Sequence, residues 1–137
     1  MAISRHMFYH KIMKEVITAN QKSAHILSQG IVSGDFIFVS GQVHANDELQ
    51  LVGDTVAEKV AQIMQNIQTV LEAFGSKTDD IVKVVIYVTD MAIMPELNEV
   101  YPIYFTKPYP VREAVCVSAL PLGASIEFSV IAEKSAD

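Results

Sequence analysis

The sequence predicts an α+β domain in which two helices cover one face of a β-sheet. Residues 55–74 carry apolar side chains at every third or fourth position, which is typical of a helix with one buried face. Val- and Ile-rich segments of strand length lie before and after this helix. A second helical segment lies between the third and fourth strands. This order favours helices packed on one side of a sheet.

The first strands and the long helix have clear boundaries in the sequence. Apolar residues on both sides of Ser33-Gly34-Asp35 predict a β-hairpin, and the polar residues 42–54 predict a loop. Thr55-Val56-Ala57-Glu58 is a capping-box pattern that begins the helix, and Gly75 ends it.

The second half of the chain is predicted to contain three strands and one interrupted helix. Ile81–Val88 is predicted to be a buried strand, and residues 111–117 and 125–132 are predicted to be the last two strands. Residues 95–105 are predicted to be helical. Pro102 should kink or break that helix, because it has no N–H to donate to the carbonyl of Asn98.

The last strand predicts a sheet with one uncovered face. Three apolar residues point to one side and three small or polar residues point to the other: Ile126, Phe128 and Val130, and Ser125, Glu127 and Ser129. The apolar side should meet the helices. No predicted element remains to cover the polar side, which therefore faces water or another subunit.

Composition narrows the classes of protein to which the chain can belong. Its 137 residues suit a single domain, 1–137, with residues 1–12 as an extension. The net charge of −6 without a basic cluster argues against a nucleic-acid partner. We expect no membrane span and no signal peptide, because the sequence has no long apolar run. The single cysteine, Cys116, fits a reducing compartment, so we expect a cytoplasmic protein.

Arg112 and Glu127 are the first candidates for chemistry. Arg112 follows Pro110 at the start of a strand, and a guanidinium presents a fork of donors that matches a carboxylate. If the last two strands pair as a hairpin, Glu127 can lie close to Arg112. One interpretation is a small-anion site in which Glu127 handles water or a proton. The other is a structural ion pair at a sheet edge or interface.

The other candidates have structural alternatives of the same kind. Asn98 is either a ligand contact or a surface residue of a helix. Ser40-Gly41-Gln42 is either a turn or a place where backbone approaches a ligand. Cys116 on a strand is more typical of a buried small side chain than of a nucleophile. The four histidines lack metal-ligand spacing and there is no glycine-rich phosphate loop, so we expect no metal or cofactor.

Several motifs follow one another in a fixed order between residues 16 and 134. They are Phe38-Val39-Ser40-Gly41-Gln42, Gln65-Asn66-Ile67-Gln68-Thr69-Val70-Leu71, Ile81-Val82-Lys83-Val84, Thr89-Asp90-Met91, Asn98-Glu99-Val100-Tyr101-Pro102-Ile103-Tyr104-Phe105, Pro110-Val111-Arg112, and Leu120-Pro121 to Ile126-Glu127. In this order and spacing the chain resembles the RidA/YjgF family, also called the L-PSP endoribonuclease-like family.

The resemblance implies a chorismate-mutase-like α+β fold with a six-stranded mixed sheet and two helices packed on one face. It also implies a homotrimer with sites in clefts between subunits. The implied activity is hydrolysis of 2-imino acids and their 2-aminoacrylate tautomers to 2-keto acids and ammonia, without cofactor or metal. The implied partner is a small carboxylate-bearing metabolite.

The resemblance also assigns roles by position. Arg112 corresponds to the carboxylate-binding arginine, and Glu127 to the acid that positions or activates water. The remaining implied contacts with substrate are Leu27, Ser40, the backbone amide of Gly41, Asn98, Ala114 and Cys116.

The chain departs from the family pattern at three places. His25, Ile26 and Leu27 stand where many deaminating members have Gly-Pro-Tyr, so the tyrosine hydroxyl is missing and the pocket should be more apolar. Glu113 follows the arginine where a small residue is usual, and strand alternation should turn it away from Arg112. Phe128 replaces an aliphatic residue.

Two other functions remain open on the sequence. One is a non-catalytic trimer that binds small metabolites, which the missing tyrosine favours. The other is the ribonuclease activity of the family's older name, although the chain offers neither a histidine pair nor a basic groove.

Overall fold

The computed structural model describes residues 15–17 and 26–135. The strands are β1 Glu15–Ile17, β2 Gly30–Ser33, β3 Phe36–Val43, β4 Ile81–Val88, β5 Val111–Cys116 and β6 Ile126–Glu133, and the α-helices are α1 Val56–Ala73 and α2 Met94–Val100. The strands form one sheet in the order β1-β2-β3-β6-β4-β5. The β4–β5 pair is parallel and all other pairs are antiparallel.

The sheet is mixed and both helices pack on it, which confirms the predicted α+β class. Five strands of the sheet have at least four residues, and these are the five that the sequence pattern predicts. The expected sheet of six such strands is therefore corrected to a sheet of five. The three-residue β1 extends this sheet at one edge. His25 and the predicted extension 1–12 lie outside the described residues.

The hairpin and the long helix form where the sequence predicts them. β2 and β3 pair on either side of Gly34, which has a φ of 61°. Thr55 caps α1 with a complete capping box: its side chain accepts from the Glu58 N–H, and Glu58 accepts from the Thr55 N–H. After the helix, the N–H groups of Gly75 and Ser76 donate to the carbonyls of Glu72 and Leu71.

The second helix is shorter than the predicted segment because of its proline. α2 ends at Val100 and continues as a 3₁₀ helix, Tyr101–Tyr104, which contains Pro102. The break confirms the prediction at Pro102. Leu97 and Tyr101 are buried, so both parts of the segment contribute to the core.

β6 has the two faces that the sequence predicts. Ile126, Phe128 and Val130 are buried among the residues of α1 and α2, whereas Glu127 and Ser129 are half-buried on the opposite face. In the described part of the chain, both helices lie on the side of Phe128. Glu127 therefore belongs to the sheet face without helices.

The two final strands do not pair with each other, which corrects the hairpin considered above. β4 lies between them, parallel to β5 and antiparallel to β6. The segment that contains α2 forms the crossover that a parallel β4–β5 pair requires. β6 then returns antiparallel between β4 and β3, where hydrogen bonds are available on both of its edges.

One buried histidine joins the loop after β3 to the start of β6. His44 is buried, its Nδ1 lies 3.0 Å from the carbonyl oxygen of Val52, and its Nε2 accepts from the Ser125 N–H at 3.1 Å. A ring that donates from Nδ1 and accepts at Nε2 is neutral. Burial lowers the pKa of His44, and the nearby Lys59 acts in the same direction.

Within the described ranges, no helix is long and apolar enough to cross a lipid bilayer.

The first prediction concerns the pH dependence of stability through His44. Its folded pKa lies below the ordinary value of 6.5, so the unfolded chain binds more protons below that pH. The stabilisation is therefore fully present above about pH 6.5 and is lost as the pH falls. Urea unfolding from pH 7.5 to 5 should show the free energy of unfolding falling less in His44→Gln than in the wild type. Parallel slopes in the two proteins would show that His44 is not linked to folding.

Candidate functional site

Four of the predicted site residues lie together in one cleft beside the end of β3. The cleft has a volume of about 570 Å³, and its lining includes Leu27, Ser40, Gly41 and Glu127. It is located where β3 continues past its last paired residue in β2, because Gly30 pairs with Val39 and nothing in β2 pairs with the residues beyond. We call this region the Glu127 cleft.

A β-bulge shapes the Glu127 cleft. Val39 pairs with Val130 and Gln42 pairs with Phe128, so Ser40 and Gly41 together oppose one residue of β6. Ser40 donates from its hydroxyl to the carbonyl of Ser28 at 2.6 Å, and its N–H donates to the carbonyl of Gln29. The Ser40 side chain therefore anchors the segment that carries Leu27.

Gly41 makes room for the carboxylate of Glu127. A Cβ at position 41 would lie 2.5 Å from Oε2 and 2.9 Å from Cδ of Glu127, which is closer than atoms can approach. The glycine at this position is thus required for the observed position of the carboxylate. The group that approaches the backbone here is Glu127 of the same chain, and the approach of a ligand to Gly41 stays a prediction.

Glu127 is a half-buried carboxyl group that forms no ion pair with another described residue. Its strand neighbours are Val43 on β3 and Tyr87 on β4. Burial raises the pKa of Glu127 above the ordinary carboxyl value. In the part of the chain that the structure describes, the ion pair that forms is between Lys83 Nζ and Glu113 Oε1, at 3.3 Å.

Helix α1 and the loop after β3 form the far wall of the Glu127 cleft. Asn66 donates from Nδ2 to the carbonyl of Ala45 at 2.9 Å, and Gln62 donates to Asn66 Oδ1 at 2.8 Å. These bonds fix the loop that carries the remaining cleft residues, among them Asp47, Glu48 and Leu49. Sequence analysis did not predict that the polar face of α1 lines the cleft.

The other predicted residues lie at the β5 edge of the sheet. Arg112 is exposed, and its Cζ lies 4.9 Å from the ring centroid of Tyr101. Ala114 packs against the core two residues further along β5, and Asn98 is exposed one helical turn before Tyr101. Cys116 is exposed, so the alternative of a buried small side chain is wrong. We call the residues Asn98, Tyr101, Arg112, Ala114 and Cys116 the Arg112 edge.

Arg112 and Glu127 lie on opposite faces of the sheet of one chain. The ring of Tyr101 lies beneath the Arg112 guanidinium and packs against Phe128, at 6.2 Å between ring centroids. Phe128 points to the helices, and Glu127, its neighbour in β6, points to the other side. The alternative of an internal Arg112–Glu127 ion pair is therefore wrong. Glu113, which pairs with Lys83, does not neutralise Arg112 either.

Tyr101 is a site residue that sequence reasoning did not single out. It is only 6% exposed, and its hydroxyl has no hydrogen-bond partner among the described residues. Burial raises the pKa of this hydroxyl, and the charge of Arg112 partly opposes the shift. A buried ring beneath a guanidinium restricts where the guanidinium lies, at a contact strength of about 0.5–2 kcal/mol.

The second prediction separates the ring of Tyr101 from its hydroxyl. Tyr101→Phe removes a buried group that lacks a partner, so the free energy of unfolding should stay the same or rise by up to about 1 kcal/mol. Tyr101→Leu removes the ring and should lower it by about 2–4 kcal/mol. Urea unfolding of both variants tests this. A clear loss of stability in Tyr101→Phe would show that the hydroxyl has a partner in the folded assembly.

Metal binding receives no support from the arrangement of side chains. Within residues 15–17 and 26–135, no three His, Cys, Asp or Glu side chains are placed to hold a metal ion.

The comparisons with known proteins agree with the motifs. A family model described as endoribonuclease L-PSP matches residues 17–134. A RutC family protein of Saccharolobus solfataricus is 39% identical over 126 residues, which are 90% of this chain and 100% of the relative. The chloroplastic Reactive Intermediate Deaminase A of Arabidopsis thaliana is 33% identical, over 88% of this chain and 66% of that protein.

Solved structures show the same fold. The Rid family protein YyfA of Yersinia pestis has a TM-score of 0.81 at 34% identity, over 88% of this chain and 98% of that chain. The chain therefore belongs to the endoribonuclease L-PSP family, which is the RidA/YjgF family that its motifs resemble.

Proposed function

We propose that the protein hydrolyses 2-imino acids, and their 2-aminoacrylate tautomers, to 2-keto acids and ammonia in a cleft between two subunits. Water adds to the imine carbon, the carbon–nitrogen bond breaks, and the nitrogen leaves as ammonia. The observation that supports this most directly is Glu127, a half-buried carboxyl group in a cleft, with a raised pKa and no ion pair with a cation of the described residues. The name of the Arabidopsis relative points in the same direction.

Glu127 is suited to accept and return a proton, because burial raises its pKa. A carboxyl group with a raised pKa accepts a proton from water more readily than an ordinary carboxylate does. It then donates that proton to the departing nitrogen. An imine carbon is already electrophilic, so the main requirements are orientation and one well-placed water molecule.

Arg112 is suited to hold the substrate carboxylate. Its guanidinium is exposed, rests on Tyr101, and has no carboxylate partner among the described residues. A guanidinium binds a carboxylate through two parallel hydrogen bonds. Because Arg112 and Glu127 of one chain lie on opposite faces, we propose that each site combines Glu127 of one subunit with Arg112 of the next.

The uncovered sheet surface supports an assembly of subunits. Several large apolar side chains on or beside β3 and β5 remain exposed in a single chain: Phe36, Phe38, Tyr109, Val111 and Val115. Exposed apolar patches of this kind mark interfaces. We propose the homotrimer that the family resemblance implies. We also propose that the protein acts in the cytoplasm, because its single cysteine fits a reducing compartment.

A ribonuclease function fits the Glu127 cleft poorly. Its described lining residues include Asp47, Glu48 and Glu127 but no lysine, arginine or histidine. The phosphates of RNA would meet negative charge in the cleft, whereas RNA-binding surfaces are basic. A non-catalytic metabolite binder is the remaining alternative, and it predicts binding without turnover.

The third prediction tests whether two chains build each site. Arg112→Lys loses the fork of donors and Glu127→Gln loses the proton acceptor, so each variant alone should hydrolyse imines at least about a hundredfold more slowly. The two variants should be unfolded together and refolded as mixed oligomers. In a random mixture, about a quarter of the sites receive both intact residues, and a quarter of wild-type activity should return.

Glu113→Gln is the matched control, because it removes a carboxylate from the other face of the Arg112 strand. It should keep wild-type imine hydrolysis. Wild-type rates in either single variant would contradict the proposed roles. Failure of the mixture to recover activity, with oligomers formed, would contradict a site shared between chains.

The fourth prediction tests the fit between Gly41 and Glu127. Gly41→Ala forces the flexible carboxylate to move while the backbone stays in place, so imine hydrolysis should fall by about tenfold to a hundredfold with little change in melting temperature. Gly34→Ala is the opposite control. It strains a positive φ at the hairpin turn, far from any side chain, and should lower the melting temperature but keep activity. The reverse pattern would refute this role of Gly41.

A further inference from the structure

Two leucines adopt a backbone conformation that side chains with a Cβ disfavour. Leu49 has a φ of 63° and Leu122 a φ of 62°, and in the described part of the chain they are the non-glycine residues with positive φ. Such positions are usually occupied by glycine or asparagine, because a Cβ crowds the neighbouring carbonyl. Strained residues of this kind are retained where the surrounding structure or the function requires their side chains.

Both leucines are exposed and line the Glu127 cleft. Leu49 is 39% exposed and Leu122 is 52% exposed, and a third leucine of the cleft, Leu27, is 40% exposed. They come from the segment before β2, the loop after β3 and the 3₁₀ turn before β6. We call these three residues the leucine rim.

The leucine rim differs from the rest of the cleft in polarity. Other lining residues present amides, hydroxyls and carboxyl groups, among them Gln42, Gln62, Gln65, Asn66, Thr69 and Glu127. Exposed apolar side chains at a cleft with a few convergent polar groups are typical of small-molecule sites. Leu49 and Leu122 lie at positions where the backbone conformation favours glycine. A leucine there is therefore explained by its side chain and not by its backbone preference.

We propose that the leucine rim receives the aliphatic side chain of the substrate, so that the protein prefers 2-imino acids with propyl or isobutyl side chains over those with a methyl group. This inference rests on the proposed hydrolysis. The substrate carboxylate is held by Arg112 of the second chain and the imine carbon lies at Glu127. The side chain on that carbon then points to the apolar residues of the same cleft.

The test measures how affinity changes with side-chain length. Calorimetry should compare pyruvate, 2-oxobutanoate, 2-oxopentanoate and 4-methyl-2-oxopentanoate, which are the product analogues of the series. In the wild type, Kd should fall by up to about fourfold for each added methylene that the rim buries. The kcat/KM for the corresponding imines, generated from the amino acids by an amino acid oxidase, should rise in the same order.

The informative variants are Leu49→Gly and Leu122→Gly, together with Leu27→Ala. Glycine accepts the positive φ, so the first two should keep or raise the melting temperature while they remove the side chain. All three should flatten the dependence of Kd on side-chain length, because the longer side chains lose more contact with the rim than pyruvate does. Leu51→Ala is the control, because Leu51 is 42% exposed but does not line the cleft.

The possible outcomes separate this inference from the proposed function. If the wild type hydrolyses imines and Arg112→Lys does not, but the rim variants keep the full dependence on length, the rim proposal alone is wrong. A change of oligomeric state with that dependence unchanged also overturns it and identifies the leucines as subunit contacts. If the wild type neither binds these keto acids nor hydrolyses imines, both proposals fail.

Discussion

The alternation of side chains along β6 is the constraint on which the rest of the structure depends. β6 is hydrogen-bonded to β3 on one side and β4 on the other, so its register is fixed by two neighbours at once. A slip of one residue would bury Glu127 in the apolar layer and expose Phe128. The fixed register instead places the Glu127 carboxyl group on the sheet face opposite Phe128.

The charges of the site follow from that placement. Burial raises the pKa of Glu127, which forms no ion pair with a cation of the described residues. Arg112, on the helix side of the opposite edge, is a cation without a carboxylate among the described residues. In a closed ring of identical subunits, the same pair of surfaces meets at every interface. In the proposed homotrimer, one chain would supply the guanidinium and its neighbour the carboxyl group.

The rigid and strained parts of the site have different origins. The pairing of β6 with β3 and β4 fixes Glu127, and hydrogen bonds from Asn66 and Ser40 fix the cleft walls. Leu49 and Leu122 lie in connecting segments, where backbone strain can be tolerated without disturbing the core. Chemistry on regular strands and recognition on loops would allow the preferred side chain to change while Glu127 and Arg112 stay in place.

Local sequence patterns were sufficient to predict the hairpin at Gly34, the capped α1, the break at Pro102 and the two faces of β6. Each depends on periodicity or turn chemistry within a few residues. The motifs also indicated Arg112 and Glu127 as the candidate pair for chemistry. Three features are visible only in the folded chain: β4 separates their strands, Cys116 is exposed, and two leucines adopt positive φ at the cleft. Strand order and loop conformation depend on which edges and surfaces remain free after distant segments have packed. Patterns within a few residues cannot predict this packing.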